Sequence, residues 1–326
     1  MASSIDPLPD TSLEPVPRVS VIVVTWNARH YVERCLDHLA NQEPHELLVV
    51  DNGSTDGTRE MLRERILPGA QFILLDNPGF GTANNVAAAR ASGRYLLLLN
   101  SDCELAPDAI TKLADYLGRS PAVCAVGPKL YTPDGSAQRS AGRVPTLFTE
   151  LLNKTMLHWA LPYYTYGWWG FTGTRKVGWL TGACVMVRAD AFRAVGGFDE
   201  SFFMFMEDVD LCVRLRTEGE LHFTDRAQAL HHGGQSSMRS DVKTAMLVEG
   251  EASSRGYFLK HGGRRALLAV RLITALAAVM RFVVWAPATF WPSLRPSARS
   301  RLRAYPRIFL DSVGMGTVGR RGAEQR

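Results

Sequence analysis

Cysteine is scarce in this 326-residue chain: there are five, at positions 35, 103, 124, 184 and 212, with no CxxC pair among them. An odd count at that spacing excludes a disulfide framework and a cysteine-built zinc site, and points to a reducing compartment. No apolar run follows the first Met. Pro7, Pro9, Pro15 and Pro17 punctuate the opening instead, so residues 1–17 read as a disordered lead-in and not as a signal peptide. A complete dinucleotide fingerprint is also missing. Gly79-Phe80-Gly81-Thr82-Ala83-Asn84 follows an expected strand and opens an expected helix, but Asn84 stands in the third glycine slot and the strand is the third of the chain. That excludes an NAD-type enzyme. The stretch reads either as a plain turn and cap or as a helix N-terminus that approaches a diphosphate. Acid is nearly absent from the end of the chain, where 252–326 hold 14 Lys+Arg and 2 Asp+Glu, a net +12. The whole chain is +5, which leaves −7 on the first 251 residues.

Apolar material is plentiful, at 46% of residues, enough for a sizeable core. The most informative stretch is Tyr95-Leu96-Leu97-Leu98-Leu99-Asn100-Ser101-Asp102-Cys103-Glu104-Leu105. Five apolar residues read as a parallel strand buried on both faces, and the carboxyl ends of such strands hold ligands in open α/β sheets. Asn100 and Asp102 lie two apart and share a side of an extended chain. A carboxylate there suits a hard cation such as Mg²⁺ or Mn²⁺; a helix N-cap before Pro107-Asp108, or a turn after the strand, is the other reading. Ahead of it, Arg18–Thr25, Glu46–Val50 and Gln71–Leu75 read as strands, with helices opened by Asn27, Thr58 and Thr82 between them. The order β-α-β-α-β-α-β over the first 105 residues predicts a right-handed, mostly parallel sheet flanked by helices. The second strand ends on Asp51-Asn52-Gly53-Ser54-Thr55-Asp56-Gly57, a tip whose carboxylate can accept hydrogen bonds from a base or ribose edge.

Further along, Val123–Val126 and Trp179–Val187 read as strands. Tyr163, Tyr164, Tyr166, Trp168, Trp169 and Phe171 form an aromatic cluster, either a platform for sugar or lipid and part of a lid, or a loop packed on the body. Glu207-Asp208-Val209-Asp210 places three carboxylates at a helix start. One or two would suit the helix dipole; three crowded together suit proton or cation exchange. Asp210 is expected to cap the helix or to pair with Arg214 at i+4. His231-His232-Gly233-Gly234 adds imidazole, a common partner of carboxylates on Mn²⁺.

Val21–Asn27, Val50–Gly57, Asn77-Pro78-Gly79-Phe80-Gly81 and Asn100-Ser101-Asp102, in this order and spacing, resemble the successive motifs of family 2 glycosyltransferases with the GT-A fold, most of all the rhamnosyltransferase-like branch acting on bacterial cell-surface glycans. The resemblance covers about residues 18–260. It implies a GT-A domain over 18–251, with a nucleotide-sugar half (18–130) and an acceptor half (131–251). It implies a donor-binding set of Thr25, Asn27, Asp51, Gly53, Asn77, Gly81, Asn84 and Ser101, with Asp51 reading the nucleobase. It makes Asp102 and His231 the contacts to Mg²⁺ or Mn²⁺, with Asn100 standing where the family carries an acid. It makes Asp208 the catalytic base, and Glu207, Trp179, Gly182 and Ala183 the acceptor side. The activity implied is inverting, metal-dependent transfer from a nucleotide sugar, dTDP-L-rhamnose first and a UDP-hexose second, to a lipid-linked or glycan acceptor. An inactive nucleotide-sugar-binding scaffold is the alternative of another class. A glycosidase also needs two carboxylates but has no use for the nucleotide-type first half.

The tail, 252–326, is basic, apolar and helical. Arg271 and Arg281 interrupt its apolar stretch with nine residues between them, against about 20 needed to span a bilayer. An in-plane helix is expected, with these arginines reaching lipid head groups and Trp285 and Trp291 at the interface; a helix packed on the body is the other reading. Arg295, Arg299, Arg301, Arg303 and Arg307 add attraction to an anionic membrane surface. A nucleic-acid partner is disfavoured because the basic residues sit among apolar ones. The expected location is cytoplasmic, on the inner face of the cell membrane.

Overall fold

The computed structural model describes residues 18–42, 46–65, 67–157, 161, 171–233, 240–290 and 295–315. Tyr163 through Trp169, residues 1–17 and Trp291 lie outside them; Phe171 is described, and packs edge-on against Phe223 with ring centroids 5.8 Å apart.

Four parallel strands run in the order β3 (Gln71–Leu75), β2 (Glu46–Asn52), β1 (Val19–Thr25), β4 (Tyr95–Asn100). The crossover helices are α1 (Arg29–Ala40), α2 (Thr58–Arg65) and α3 (Phe80–Ala88). Both faces of the sheet are covered, which is why its strands read as unbroken apolar runs. Val21 and Val23 of β1 and Leu97 and Leu99 of β4 join Leu36, Leu39 and Leu62 on one face. Ile22, Val24, Leu96 and Leu98 join Ala83 and Ala87 on the other. The alternation is the period of two of a strand.

Beyond β4 the sheet turns mixed. After β5 (Cys103–Leu105) and α4 (Ala109–Arg119) come β6 (Val123–Tyr131), β7 (Ala141–Gly142), α5 (Leu147–Lys154), β8 (Arg175–Val177), β9 (Trp179–Leu180), β10 (Cys184–Arg188), α6 (Ala189–Ala194), α7 (Glu207–Leu215) and β11 (Glu220–His231). Strand β10 lies antiparallel between β4 and β6. Strand β11 runs parallel to β6 and holds β5 at the edge. The strand expected over 179–187 is therefore two, parted by Thr181-Gly182-Ala183: β9 leaves the main sheet to pair with β7. Asp102 sits in the turn between β4 and β5, and α4 has Asp108 at its N-cap, so the N-cap reading of Asp102 is overturned. Asn27 does not cap α1 either. Ala28 does, while Asn27 takes φ 49° and ties two strand tips, accepting from Thr55 N at 2.7 Å and donating its own N–H to Ser54 Oγ at 2.9 Å.

The tail is two helices, α8 (Ser240–Trp285) and α9 (Arg295–Ser312), with α8 broken at Gly263 (φ 69°). Helix α8 passes through position 251 without interruption. Its first part is built into the body, with Tyr257 and Phe258 in one cluster with Phe202 and Val209. By length and composition the stretch Thr244–Phe290 is apolar enough to cross a membrane. The arginines do not point outward as expected. Arg281 donates to Asn153 O at 2.9 Å and Arg271 to Asp311 O at 3.5 Å. Those carbonyls end α5 and α9, where the negative ends of two helix dipoles draw in the guanidinium groups. Trp285 also turns inward, with Arg301 stacked 4.2 Å from its ring centre. What α8 leaves outside is a charge-free stripe, Leu268 (65% exposed), Leu272 (72%), Leu276 (61%) and Val283 (65%), at helical spacing.

Candidate active site

The strand tips supply the first residues. Thr25 of β1 stands beside Asp51 of β2, and Val24 beside Asn100 of β4. Asp51 is fully buried; its Oδ2 accepts from Arg59 Nε at 2.9 Å. Just past β4, Asp102 Oδ1 lies 3.2 Å from His231 Nε2. His231 ends β11, and its Nδ1 donates to Gln138 Oε1 at 2.8 Å. With Nδ1 held by Gln138, Nε2 is the nitrogen turned toward Asp102; metal-ligating histidines are likewise held through their other ring nitrogen.

Asp102, Cys103 and His231 bring ligand atoms within 4.8 Å of one another. Burial first, and then the Asp102 charge, push the Cys103 thiol well above its ordinary range. Its Sγ–H donates to Ala183 O at 3.2 Å, and a soft sulfur is a poor ligand for a hard cation. A carboxylate and an imidazole remain, a hard and borderline pair that fits Mg²⁺ or Mn²⁺ and leaves the other coordination positions to an incoming oxygen ligand. Neighbouring His232 turns away, as an extended chain requires, and its Nε2 bonds Glu104 Oε1 at 2.6 Å.

The acids of α7 arrive from across the sheet. Asp208 Oδ2 accepts the Gly182 N–H at 3.0 Å, and Oδ1 accepts from Val209 N at 2.8 Å. A side chain on Gly182 would stand 3.3 Å from the Phe80 ring and 3.4 Å from Asp208 Cβ, so glycine lets Asp208 and α3 approach each other. One residue on, Ala183 O accepts from Asn100 N at 2.9 Å. Gly182-Ala183 thus joins the Asn100–Cys103 tip to Asp208 by backbone hydrogen bonds.

Burial raises the pKa of both Glu207 and Asp208; Glu207, buried and then opposed by the Asp208 charge, goes to about 8. Two backbone N–H groups stabilise the Asp208 carboxylate, whereas Glu207 Oε2 is buried with no partner among the described residues. The pair therefore carries one charge, on Asp208, and one proton, on Glu207. Asp210 is buried too, paired with Arg214 Nε at 2.8 Å as expected, and also with Lys260 at 2.7 Å and His261 at 2.8 Å.

Among the described residues, five of the twelve buried polar side-chain atoms without a partner belong to this set: Thr25 Oγ1, Asp51 Oδ1, Asn84 Oδ1, Asn100 Oδ1 and Glu207 Oε2. Buried groups are otherwise almost always satisfied, so such a cluster marks where a polar ligand sits.

The model of the family described as Glycosyl transferase family 2 matches residues 20–195, more than half of the chain. The chain belongs to glycosyltransferase family 2. It is 35% identical over 242 residues to an N-acetylglucosaminyl-diphospho-decaprenol L-rhamnosyltransferase of Mycobacterium tuberculosis, covering 67% of this chain and 77% of that one. It is 27% identical over 231 residues to rhamnosyltransferase WbbL of Escherichia coli K12, covering 66% and 83%. Two solved structures share the GT-A fold. One is a mannosyltransferase of Pyrobaculum calidifontis, in complex with GDP-Man and Mn²⁺ (TM-score 0.51, 17% identity, covering 92% of this chain and 87% of that one). The other is GalNAc-T7, with UDP, GalNAc and Mn²⁺ (TM-score 0.52, 16% identity, covering 67% and 44%).

In this family 2 glycosyltransferase adjacent strand ends carry Thr25, Asp51 and Asn100, Asp102 meets His231, and Gly182-Ala183 links Asn100 to Asp208. Asn77, at φ 54°, stands behind Asp51's loop, where Asn52 Nδ2 bonds its Oδ1 at 3.1 Å and Gly53 turns beside it. Gly81 faces the body: its missing Cβ leaves room for Phe198, 3.0 Å away. Asn84 Nδ2 bonds Phe80 O at 2.9 Å one turn back. Trp179, half-buried, lies on β9 against the second face of the sheet. Gln138 and Arg59 were not among the residues singled out from sequence; neither carries a local motif, and only proximity in the fold connects them to His231 and Asp51.

Proposed function

We propose that this glycosyltransferase moves L-rhamnose from dTDP-L-rhamnose to a lipid-linked acceptor, with inversion at the anomeric carbon. The observation that supports this reading is the bridge Gly182-Ala183: Gly182 N donates to Asp208, and Ala183 O accepts from Cys103, the neighbour of the Asp102 that faces His231. The choice of donor and acceptor follows the mycobacterial relative, at 35% identity over 67% of this chain.

Asp208 takes the proton of the acceptor hydroxyl, and that oxygen attacks the anomeric carbon from the face opposite the diphosphate. Glu207, holding its proton, donates a hydrogen bond to the acceptor sugar through the carboxyl whose Oε2 has no partner among the described residues. Asp51, oriented by Arg59, accepts from the nucleobase with its remaining oxygen. Asp102 and His231 would hold Mg²⁺ or Mn²⁺, which when bound offsets the charge of the departing diphosphate. The tail rests on the cytoplasmic face of the membrane through the Leu268–Val283 stripe, near the head groups that Arg299, Arg303 and Arg307 face.

The test is a screen of dTDP-L-rhamnose, UDP-glucose and UDP-galactose with N-acetylglucosaminyl-diphospho-prenol, with Mg²⁺, Mn²⁺ or chelator, reading released nucleoside diphosphate and product mass. Rhamnosyl product from the wild type and almost none from Asp208→Asn is expected. No transfer from any donor would refute the reading, as would an Asp208→Asn variant with full activity.

A further inference from the structure

A cavity of about 210 Å³ opens between the two tail helices, lined by Phe205, Met246, Leu247, Ser297, Ser300 and Arg301. Its floor is the segment that leads into the catalytic helix. Phe205 stands three residues ahead of Asp208, a separation that the chain spans in at most about 10 Å. Phe205 and Met206 both hold left-handed backbone (φ 67° and 63°), a conformation that costs non-glycine residues energy and persists only where the surroundings impose it. The surroundings here are α8: Ser253 Oγ donates to Met204 O at 2.8 Å, and a Cβ on Gly250 would sit 3.5 Å from the Phe205 ring.

The lining is amphiphilic. Three apolar side chains make one wall, two hydroxyls and a guanidinium the other. Arg301 lies over the Trp285 ring, and among the described residues no carboxylate pairs with it, although ion pairs hold Arg255 and Lys154 in the same helical tail and its support. Trp285 is also where the exposed apolar stripe of α8 ends, so a hydrocarbon chain lying along that stripe reaches the cavity mouth. A guanidinium that bonds Ser297 O but pairs with no carboxylate among the described residues, beside apolar side chains, is complementary to a phosphate carried on a hydrocarbon chain.

We propose that this cavity binds the prenyl-linked phosphate of the acceptor, holding the lipid end so that the sugar end reaches Asp208. It deepens the lipid-linked acceptor reading above and rests on it. Membrane phospholipid offers the same chemistry, and the cavity's place beside the catalytic segment, not on the outer stripe, favours the acceptor.

Geranylgeranyl phosphate is titrated against the full chain by tryptophan fluorescence. Wild type and Arg301→Lys are expected to bind; Arg301→Gln is expected to bind about tenfold more weakly or worse, the size of one lost charge-assisted hydrogen bond. With N-acetylglucosaminyl-diphospho-prenol, Arg301→Gln should raise KM by a similar factor and leave kcat nearly unchanged. A phosphate-free, lipid-free acceptor such as methyl N-acetylglucosaminide should show no difference between wild type and variant. Met246→Trp, which fills the cavity without touching a charge, should repeat the KM effect, and thermal melts confirm that each variant is folded. Equal binding by Arg301→Gln and wild type overturns the proposal. So does a parallel loss of binding to phosphatidylglycerol vesicles, which would assign the site to a membrane head group. A wild type that binds geranylgeranyl phosphate but transfers no sugar keeps the site and sinks only the transferase reading.

Discussion

Replacing Glu207 by Gln removes a proton that the folded chain keeps and the unfolded chain loses at neutral pH. Burial and the Asp208 charge raise the Glu207 pKa from 4.5 to about 8. Between these values the unfolded state has released the proton and the native state has not, so the native state binds more protons and stability falls as pH rises. The slope for one such group is about 1.4 kcal/mol per pH unit. From pH 5.5 to 7.5 the wild type should therefore lose about 2–3 kcal/mol through this carboxyl alone. The loss stops once pH passes the native pKa and the folded group ionises as well. Gln cannot ionise, keeps the shape, and supplies an amide N–H2 where the protonated acid supplied O–H. Urea denaturation of both proteins at pH 5.5, 6.5 and 7.5, with the m-value held common, isolates the group as the difference between two stabilities. Glu207→Gln should gain about 2–3 kcal/mol on the wild type across that window. Parallel stability curves would mean that Glu207 is ionised in the native state, and the assignment of one charge and one proton to the pair would fall.

Gln138→Leu removes the group that orients His231, and should weaken Mn²⁺ binding in the presence of nucleoside diphosphate about 10–100-fold by calorimetry, while the fold survives; unchanged affinity would dissociate Gln138 from the site. Asp210→Asn leaves Arg214, Lys260 and His261 without their shared buried partner carboxylate, and should cost about 3–5 kcal/mol in chemical denaturation; a loss under about 1 kcal/mol, the size of an exposed pair, would show that the tail does not brace α7. Leu272→Asp with Leu276→Asp places two charges in the middle of the exposed apolar stripe. Sedimentation with anionic vesicles should be abolished and transfer to a lipid-free acceptor retained; retained vesicle binding would move the contact elsewhere on the molecule.

Much of the first half was legible because a parallel strand buried on both faces leaves an unbroken apolar run, and its polar tip stands out at once. Leu96 to Leu99 are all buried, and Asn100 and Asp102 follow where the chain reaches the sheet edge. The antiparallel β10 was not legible. A buried strand has the same composition whichever way it runs, and only the β4–β10 register reveals its direction. The tail misled for a related reason. An arginine within an apolar helix reads as reaching for lipid, because sequence cannot show that carbonyls of Asn153 and Asp311 wait on the inner side.

Local chemistry by itself determined which segments are strands, where they end, and which carboxylates and imidazoles those ends present, since each depends on neighbours a few residues apart. Which of them share a cleft was decided in three dimensions. Gln138 meets His231 across 93 positions and Gly182 meets Asp208 across 26, and contacts between residues so far apart along the chain exist only once the sheet has closed around them.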